Sequence, residues 1–304
     1  MINVSILAIP IALAGNASVM LGYVLQKKAI VKMDPIEKTK LKKNIRNFLT
    51  NPIWLTGLFL TLLSTVASIF AYAYGNIVLV ASINGSGLMF LSIFSYFILK
   101  EKLNLKEVIS FILIIIGVVL SGLFSSKTNT QSTVDEFWSL FTFRTSVLFQ
   151  FSLLFVALIL LIVEFSLNLN PAYSGIPNTL TAGIFMSLAV ITMKGWSIYF
   201  STPIHIDLTD YKFWLLGGLN TFLANIATIL MQISYQKAKA LVTVPIYHSS
   251  VLLFPTIYAA LFLKEWVNIS TQSKIYLSFS LSLIIFGILF LVVLKRKNEK
   301  SENE

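Results

Sequence analysis

The stretches FILKEKL (residues 97–103) and LFLKEW (261–266) close two long apolar runs with the same three letters, placing Glu101 and Glu265 164 positions apart. A shared tripeptide alone is weak; its surroundings give it meaning. Thr221, Asn225, Thr228, Gln232 and Tyr235 recur at spacings of 4, 3, 4 and 3, so they share one face of a helix. Shifted by 164, Thr61 falls on Asn225, Ser64 on Thr228 and Ser68 on Gln232. Ala14-Gly15 matches Ala182-Gly183 at a shift of 168, and IIIGVVL (114–120) matches IIFGILF (284–290) at 170. Apolar helices resemble one another, but four matches in the same order indicate an internal repeat.

Composition sets the environment of that repeat. Of 304 residues, 56% are hydrophobic and 12% charged, with a mean hydropathy of +0.82. Soluble domains carry about 25% charge, so this chain has too few charges to cover a globular surface in water. Lipid is the expected solvent. The absence of cysteine excludes disulfides, thiolate zinc sites and thiol nucleophiles, and two histidines, His205 and His248, leave little for a histidine metal site. The net charge of +10 sits in short hydrophilic stretches between apolar runs, which is how membrane proteins fix orientation, and nucleic acid is not an expected partner.

Apolar segments fall at 3–25, 53–74, 77–99, 105–124, 146–167, 175–200, 212–235, 240–263 and 274–295. Each is long enough for a helix across a core of about 30 Å, and none alternates like a barrel strand. Ala12-Leu13-Ala14 is an A-x-A triplet, but no Lys or Arg precedes the run and it continues to Leu25, so the first segment reads as a retained helix. The fold expected is an all-α integral membrane protein of nine transmembrane helices. Hydrophilic ends following odd-numbered segments hold 17 Lys and Arg, the opposite side five, and Lys194 lies within the sixth segment. The bias places the N-terminus outside the cell membrane and the C-terminus in the cytoplasm.

Segments 1–4 correspond to 6–9. A shift of five helices inverts the second half relative to the first, with the fifth segment as linker. The division is 1–124 for the first repeat, with a basic cytoplasmic loop at 26–50; 125–174 for an external loop and linker helix; 175–295 for the inverted repeat; and 296–304 for a cytoplasmic tail. Such repeats build many secondary transporters, whose substrates bind near mid-membrane where the halves meet. The expected partners are the bilayer and an ion or small-molecule substrate, with no cofactor. A homodimer is compatible with this architecture.

The polar stripe is either packing glue between helices or a cavity wall. Asn225 and Gln232 favour the wall, because an amide needs several partners in a dry site. Asn16 and Asn84, the latter within SINGSG at 82–87, offer the same chemistry from other helices. The glycines there do not form a nucleotide loop, since the full G-x-G-x-x-G is absent. Pro245 and Pro255 each interrupt a backbone hydrogen bond of the eighth segment, beside Tyr247 and His248. His248 fits a proton relay and a packing residue equally. Lys194 either snorkels to the surface or attracts an anionic group. Glu164 reads as a structural residue of the linker helix, and Glu101 and Glu265 as interface or gate contacts. An enzyme is not expected, since paired intramembrane acids are lacking.

LVTVPIYHSSVLLFPTIYAALFLKEW (241–266), AYAYGNIVLV (71–80), LKEKLNL (99–105) and MKGW (193–196) resemble the NIPA-type magnesium transporters, of the drug/metabolite transporter (EamA-like) superfamily. The resemblance runs over nearly the whole chain and implies nine helices working by alternating access. Two departures stand out: Val244 separates Thr243 from Pro245, and His248 takes the place of a second tyrosine. The resemblance implies magnesium transport. The residues themselves offer amides and hydroxyls without a central carboxylate, and Lys194 opposes a cation, which favours a polar or anionic metabolite or lipid precursor. Magnesium is the expectation taken forward, with the metabolite as its alternative.

Overall fold

The computed structural model describes residues 4–33, 41–74, 80, 87–100, 105–124, 133–166, 175–200, 207–238, 240–264, 266–267 and 269–302. Helices account for the regular structure of these residues, and no strand occurs among them. They are α1 (Val4–Ile30), α2 (Leu41–Thr50), α3 (Pro52–Tyr74), α4 (Leu88–Phe94), α5 (Leu105–Phe124), α6 (Val134–Phe141), α7 (Arg144–Ser166), α8 (Ile176–Ser197), α9 (Tyr211–Lys237), α10 (Ala240–Leu261) and α11 (Thr271–Glu302). A π-helical turn at Ser95–Leu99 extends α4, and a 3₁₀ turn at Ile198–Phe200 extends α8. Among the described residues, five stretches are long and apolar enough to cross a membrane: Pro52–Ala73, Arg144–Glu164, Ile176–Phe200, Tyr211–Lys237 and Val242–Leu261.

Burial separates central helices from peripheral ones. In the most apolar stretch of both α8 and α10, 78% of residues are buried, against 17% in α3 and α7. The outward faces are apolar: Leu105, Ile109, Ile112, Ile116, Val119 and Leu123 of α5 are all exposed and form a stripe at helical spacing. In water such a stripe would be costly; against acyl chains it is matched.

Small residues set the closest crossings, as lipid-embedded helices require when van der Waals contact drives association. A Cβ on Gly22 would stand 2.8 Å from the Gly57 carbonyl oxygen, and one on Gly57 would stand 2.7 Å from that of Gly22, so α1 and α3 touch backbone to backbone. The crossing of α5 with α11 is reciprocal. Gly117 packs on Ser280 and Ile284, while Gly287 packs on Ser110 and Ile114. Each partner of one glycine lies 170 residues from the corresponding partner of the other.

Lys100 and Lys264, the lysines of the two LKE copies, are the described non-glycine residues with left-handed backbone, at φ 58° and 57°. This conformation stops a helix and is normally left to glycine. At Lys100 the backbone N–H donates to the Ser95 carbonyl, closing the π turn.

The apolar runs and the helices differ in three places. The first run ends at Leu25, yet α1 continues to Ile30, with Gln26 and Lys27 buried. The basic stretch at 26–50 contains α2, whose Phe48 stacks on Trp54 at the start of α3 with ring centroids 4.8 Å apart. The 125–174 stretch contains α6, whose N-cap Thr133 accepts from the Glu136 amide, and Phe137 of α6 fills the space over Gly195.

Candidate functional site

A cavity of about 320 Å³ lies between α1, α3, α8, α9 and α10. Its polar wall comes mainly from two facing helices. Along α9, Thr221, Asn225, Thr228 and Gln232 line it at the spacing that placed them on one face. Along α3, Thr61, Ser64, Thr65 and Ser68 do the same, and Tyr72 continues the line. Asn16, Tyr23 and Gln26 enter from α1, and Tyr247 and His248 from α10. Met186, Val190 and Met193 of α8 supply an apolar side.

The hydrogen bonds fix what this wall presents. Thr61 donates its hydroxyl proton to the Leu58 carbonyl, Thr65 to Thr61, and Ser68 to Ser64. On α9, Thr221 donates to the Gly217 carbonyl and Thr228 to Ala224, while the Asn225 amide nitrogen donates to the Thr221 carbonyl at 2.7 Å. A hydroxyl whose proton is committed to backbone offers only oxygen lone pairs to a ligand. The two facing helices therefore line the cavity largely with acceptors. No Asp or Glu is among its described lining residues. Among the described residues no group of three His, Cys, Asp or Glu could hold a metal ion.

One end of the cavity is closed by amides. The Gln232 side-chain nitrogen donates to the Gln26 carbonyl oxygen at 2.5 Å, and the Trp54 indole approaches the Gln232 oxygen at 3.4 Å. Just beyond, the Lys27 ammonium donates to the backbone carbonyls of Tyr235 (2.6 Å) and Ala238 in the last turn of α9. These carbonyls lack donors within their own helix, so a buried lysine becomes their cap. Glu164 makes a second tie at this end: it accepts from the Gly175 amide at the start of α8 and from Lys237 at 2.8 Å. A carboxylate at a helix N-terminus paired with a lysine at a helix C-terminus satisfies both dipoles.

The structure brings Asn16, Thr221, Asn225, Thr228, Gln232, Tyr247 and His248 to one cavity. Lys194 is not among the lining residues; its ammonium donates at 3.0 Å to the carbonyl of Tyr72, behind the α3 wall. Asn84, Glu101 and Glu265 lie outside the described residues. Sequence reasoning missed Tyr23, Gln26, Lys27, Asn220 and Tyr72. Asn220 precedes Thr221 by one position and so turns about 100° away from the stripe, donating at 2.8 Å to the Ala189 carbonyl of α8. Gln26 and Lys27 carried a signal, two long polar residues directly after an apolar run, but it reads equally as a loop.

The family model described as Magnesium transporter NIPA matches residues 4–298. The chain belongs to the NIPA magnesium transporter family. It is similar to the probable magnesium transporter NIPA6 of Arabidopsis thaliana, 23% identical over 266 residues that cover 84% of this chain and 78% of the relative. It is also similar to the probable magnesium transporter NIPA7 of the same plant, at 24% over 86% of this chain and 81% of the relative. With the magnesium transporter NIPA1 of Mus musculus the identity is 25%, over 91% of this chain and 84% of the relative. No solved structure matches it. For a NIPA-family chain the lack of acids among the described lining residues is informative, because Mg²⁺ sheds its water reluctantly and is otherwise held through one or two carboxylates.

Proposed function

We propose that this chain carries Mg²⁺ across the membrane as the hydrated ion, held in the cavity through its water shell. The carrying observation is the acceptor wall. The six waters around Mg²⁺ point their hydrogens outward, and the hydroxyls of Thr61, Thr65, Ser68, Thr221 and Thr228 face them with oxygens whose own protons are committed to backbone. Six waters occupy about 180 Å³ at about 30 Å³ each, which fits a cavity of about 320 Å³. No protein atom needs to ligate the metal. An anionic metabolite would need donors along the same wall, and the two nearby lysines, Lys27 and Lys194, are turned to backbone carbonyls.

The transport cycle in this reading is alternating access between two inverted four-helix repeats, in residues 1–124 and 175–295, joined by the linker α7. The reciprocal Gly117 and Gly287 crossing and the matched left-handed lysines support the repeat. The asymmetry of Lys and Arg supports nine spans with the N-terminus outside. Asn16, Asn84, Asn225 and Gln232 then serve as cavity amides, and Glu101 and Glu265 as gate contacts at opposite mouths.

The test is Mg²⁺ uptake into proteoliposomes with hexaamminecobalt(III), an octahedral cation of similar size that keeps its donor shell. Competitive inhibition, together with at least tenfold loss of flux in Asn225→Ala and Gln232→Ala at near-normal melting temperature, is the expected result. Uptake of a phosphorylated or carboxylated solute with no Mg²⁺ flux would overturn the reading.

A further inference from the structure

His248 is the cavity's imidazole, and the pathway just described makes no use of it. The residue is 8% exposed and lines the cavity. Its Nε2 is buried and has no hydrogen-bond partner among the described residues. Two tyrosine rings pack against it, Tyr23 of α1 at 5.7 Å and Tyr247 at 5.2 Å between centroids, and they meet each other edge-on at 6.0 Å. A buried polar atom left unpaired against protein is unfavourable. The ring borders the cavity, so what can reach that nitrogen when the ring turns is what the cavity admits: water, or a proton from it.

We propose that His248 is a proton site whose occupancy excludes the cation, so that this chain exchanges Mg²⁺ for a proton. The proposal rests on the reading of the cavity as the Mg²⁺ pathway. An imidazolium at the wall and a dication inside the cavity stand on the order of 8 Å apart. At an effective dielectric of about 20 their repulsion lowers affinity for the second charge by roughly a thousandfold. Among the described lining residues no acid offsets it. Towards His248, α1 presents Tyr23, and the ammonium of Lys27 one turn further is committed to the Tyr235 and Ala238 carbonyls. From α9 the lining side chains are uncharged amides and hydroxyls, from α3 hydroxyls and the Tyr72 ring, and from α8 Met186, Val190 and Met193. On α10 itself the neighbouring ionisable group is Tyr247. With no carboxylate in the described lining, the two cations do not share the cavity. The proton therefore leaves to water when Mg²⁺ enters and is taken up from water on the other side once Mg²⁺ has gone. One proton exchanges per Mg²⁺, leaving one net positive charge moved.

The experiment uses the full chain in proteoliposomes, with a lumenal pH dye, a lumenal Mg²⁺ indicator and the potential clamped by K⁺ and valinomycin. The expected wild-type result is that an inward Mg²⁺ gradient alkalinises the lumen, and that a lumen at pH 6 against pH 7.5 outside speeds uptake at least fivefold. In His248→Gln, the remaining flux moves no protons and changes less than twofold with the pH gradient. Separately, the Mg²⁺ concentration that half-stabilises the purified protein against heat rises at least tenfold from pH 7.5 to 5.5 in the wild type, and stays level in His248→Gln. Wild-type Mg²⁺ flux without proton countermovement overturns the proposal, as does coupling or pH-dependent Mg²⁺ stabilisation that survives in His248→Gln. Absence of any wild-type Mg²⁺ flux overturns instead the reading of the cavity on which it rests.

Discussion

Replacing Lys27 by methionine tests whether the contact between α1 and the end of α9 closes the floor of the cavity. The residue is 6% exposed, and its ammonium reaches the carbonyls of Tyr235, at 2.6 Å, and Ala238. A charge-assisted hydrogen bond contributes about 1.5–3 kcal/mol, so losing two costs about 3–6 kcal/mol. Methionine recovers part of that loss, since an apolar chain of similar length needs no desolvation of a charge. The net destabilisation expected is about 2–4 kcal/mol. For a chain of a few hundred residues, 1 kcal/mol moves the melting temperature by about 2–4 °C, which predicts a fall of about 4–16 °C by intrinsic fluorescence of the purified protein. Lys28, the next residue, is exposed, and Lys28→Met should stay within about 0.5 kcal/mol of wild type. A Lys27→Met melting temperature within 2 °C of Lys28→Met refutes the capping argument.

Three further outcomes follow from named contacts. Gly117→Ala places a Cβ 2.7 Å from Ile284 Cγ1 and 2.8 Å from the Ser280 carbonyl, and should destabilise by about 1–3 kcal/mol. Gly218→Ala meets open space and should stabilise α9 by about 0.5–1 kcal/mol; thermal melts that move both variants the same way contradict this packing. Lys194→Gln removes a charge held to the Tyr72 carbonyl rather than to the cavity, so Mg²⁺ flux should be unchanged or raised, and a tenfold fall would show that the lysine serves the pathway. Cysteines at Lys40 and Lys297 should react with an impermeant reagent from the cytoplasmic side and one at Thr130 from outside. Labelling of Lys40 and Thr130 from the same face rules out the orientation.

The sequence alone determined the solvent, the helical periods and the face of α9 that is polar, because these depend on composition and on neighbours three or four residues apart. It also made the LKE copies legible as one local device used twice, and the structure gives Lys100 and Lys264 the same left-handed backbone. Tertiary structure decided which faces meet. Gln26 joins Gln232 across 206 positions and Lys27 reaches Ala238 across 211, pairings that no period within either helix encodes. The same holds for Lys194, which spacing along α8 could place in the pathway and which the fold sets behind Tyr72, and for the hydroxyl protons that turn the cavity wall into acceptors. Periodicity says where a side chain points relative to its own helix axis. What stands opposite depends on how close another helix can come, and here glycines at positions 22, 57, 117 and 287 set that distance through contacts between segments far apart in the chain.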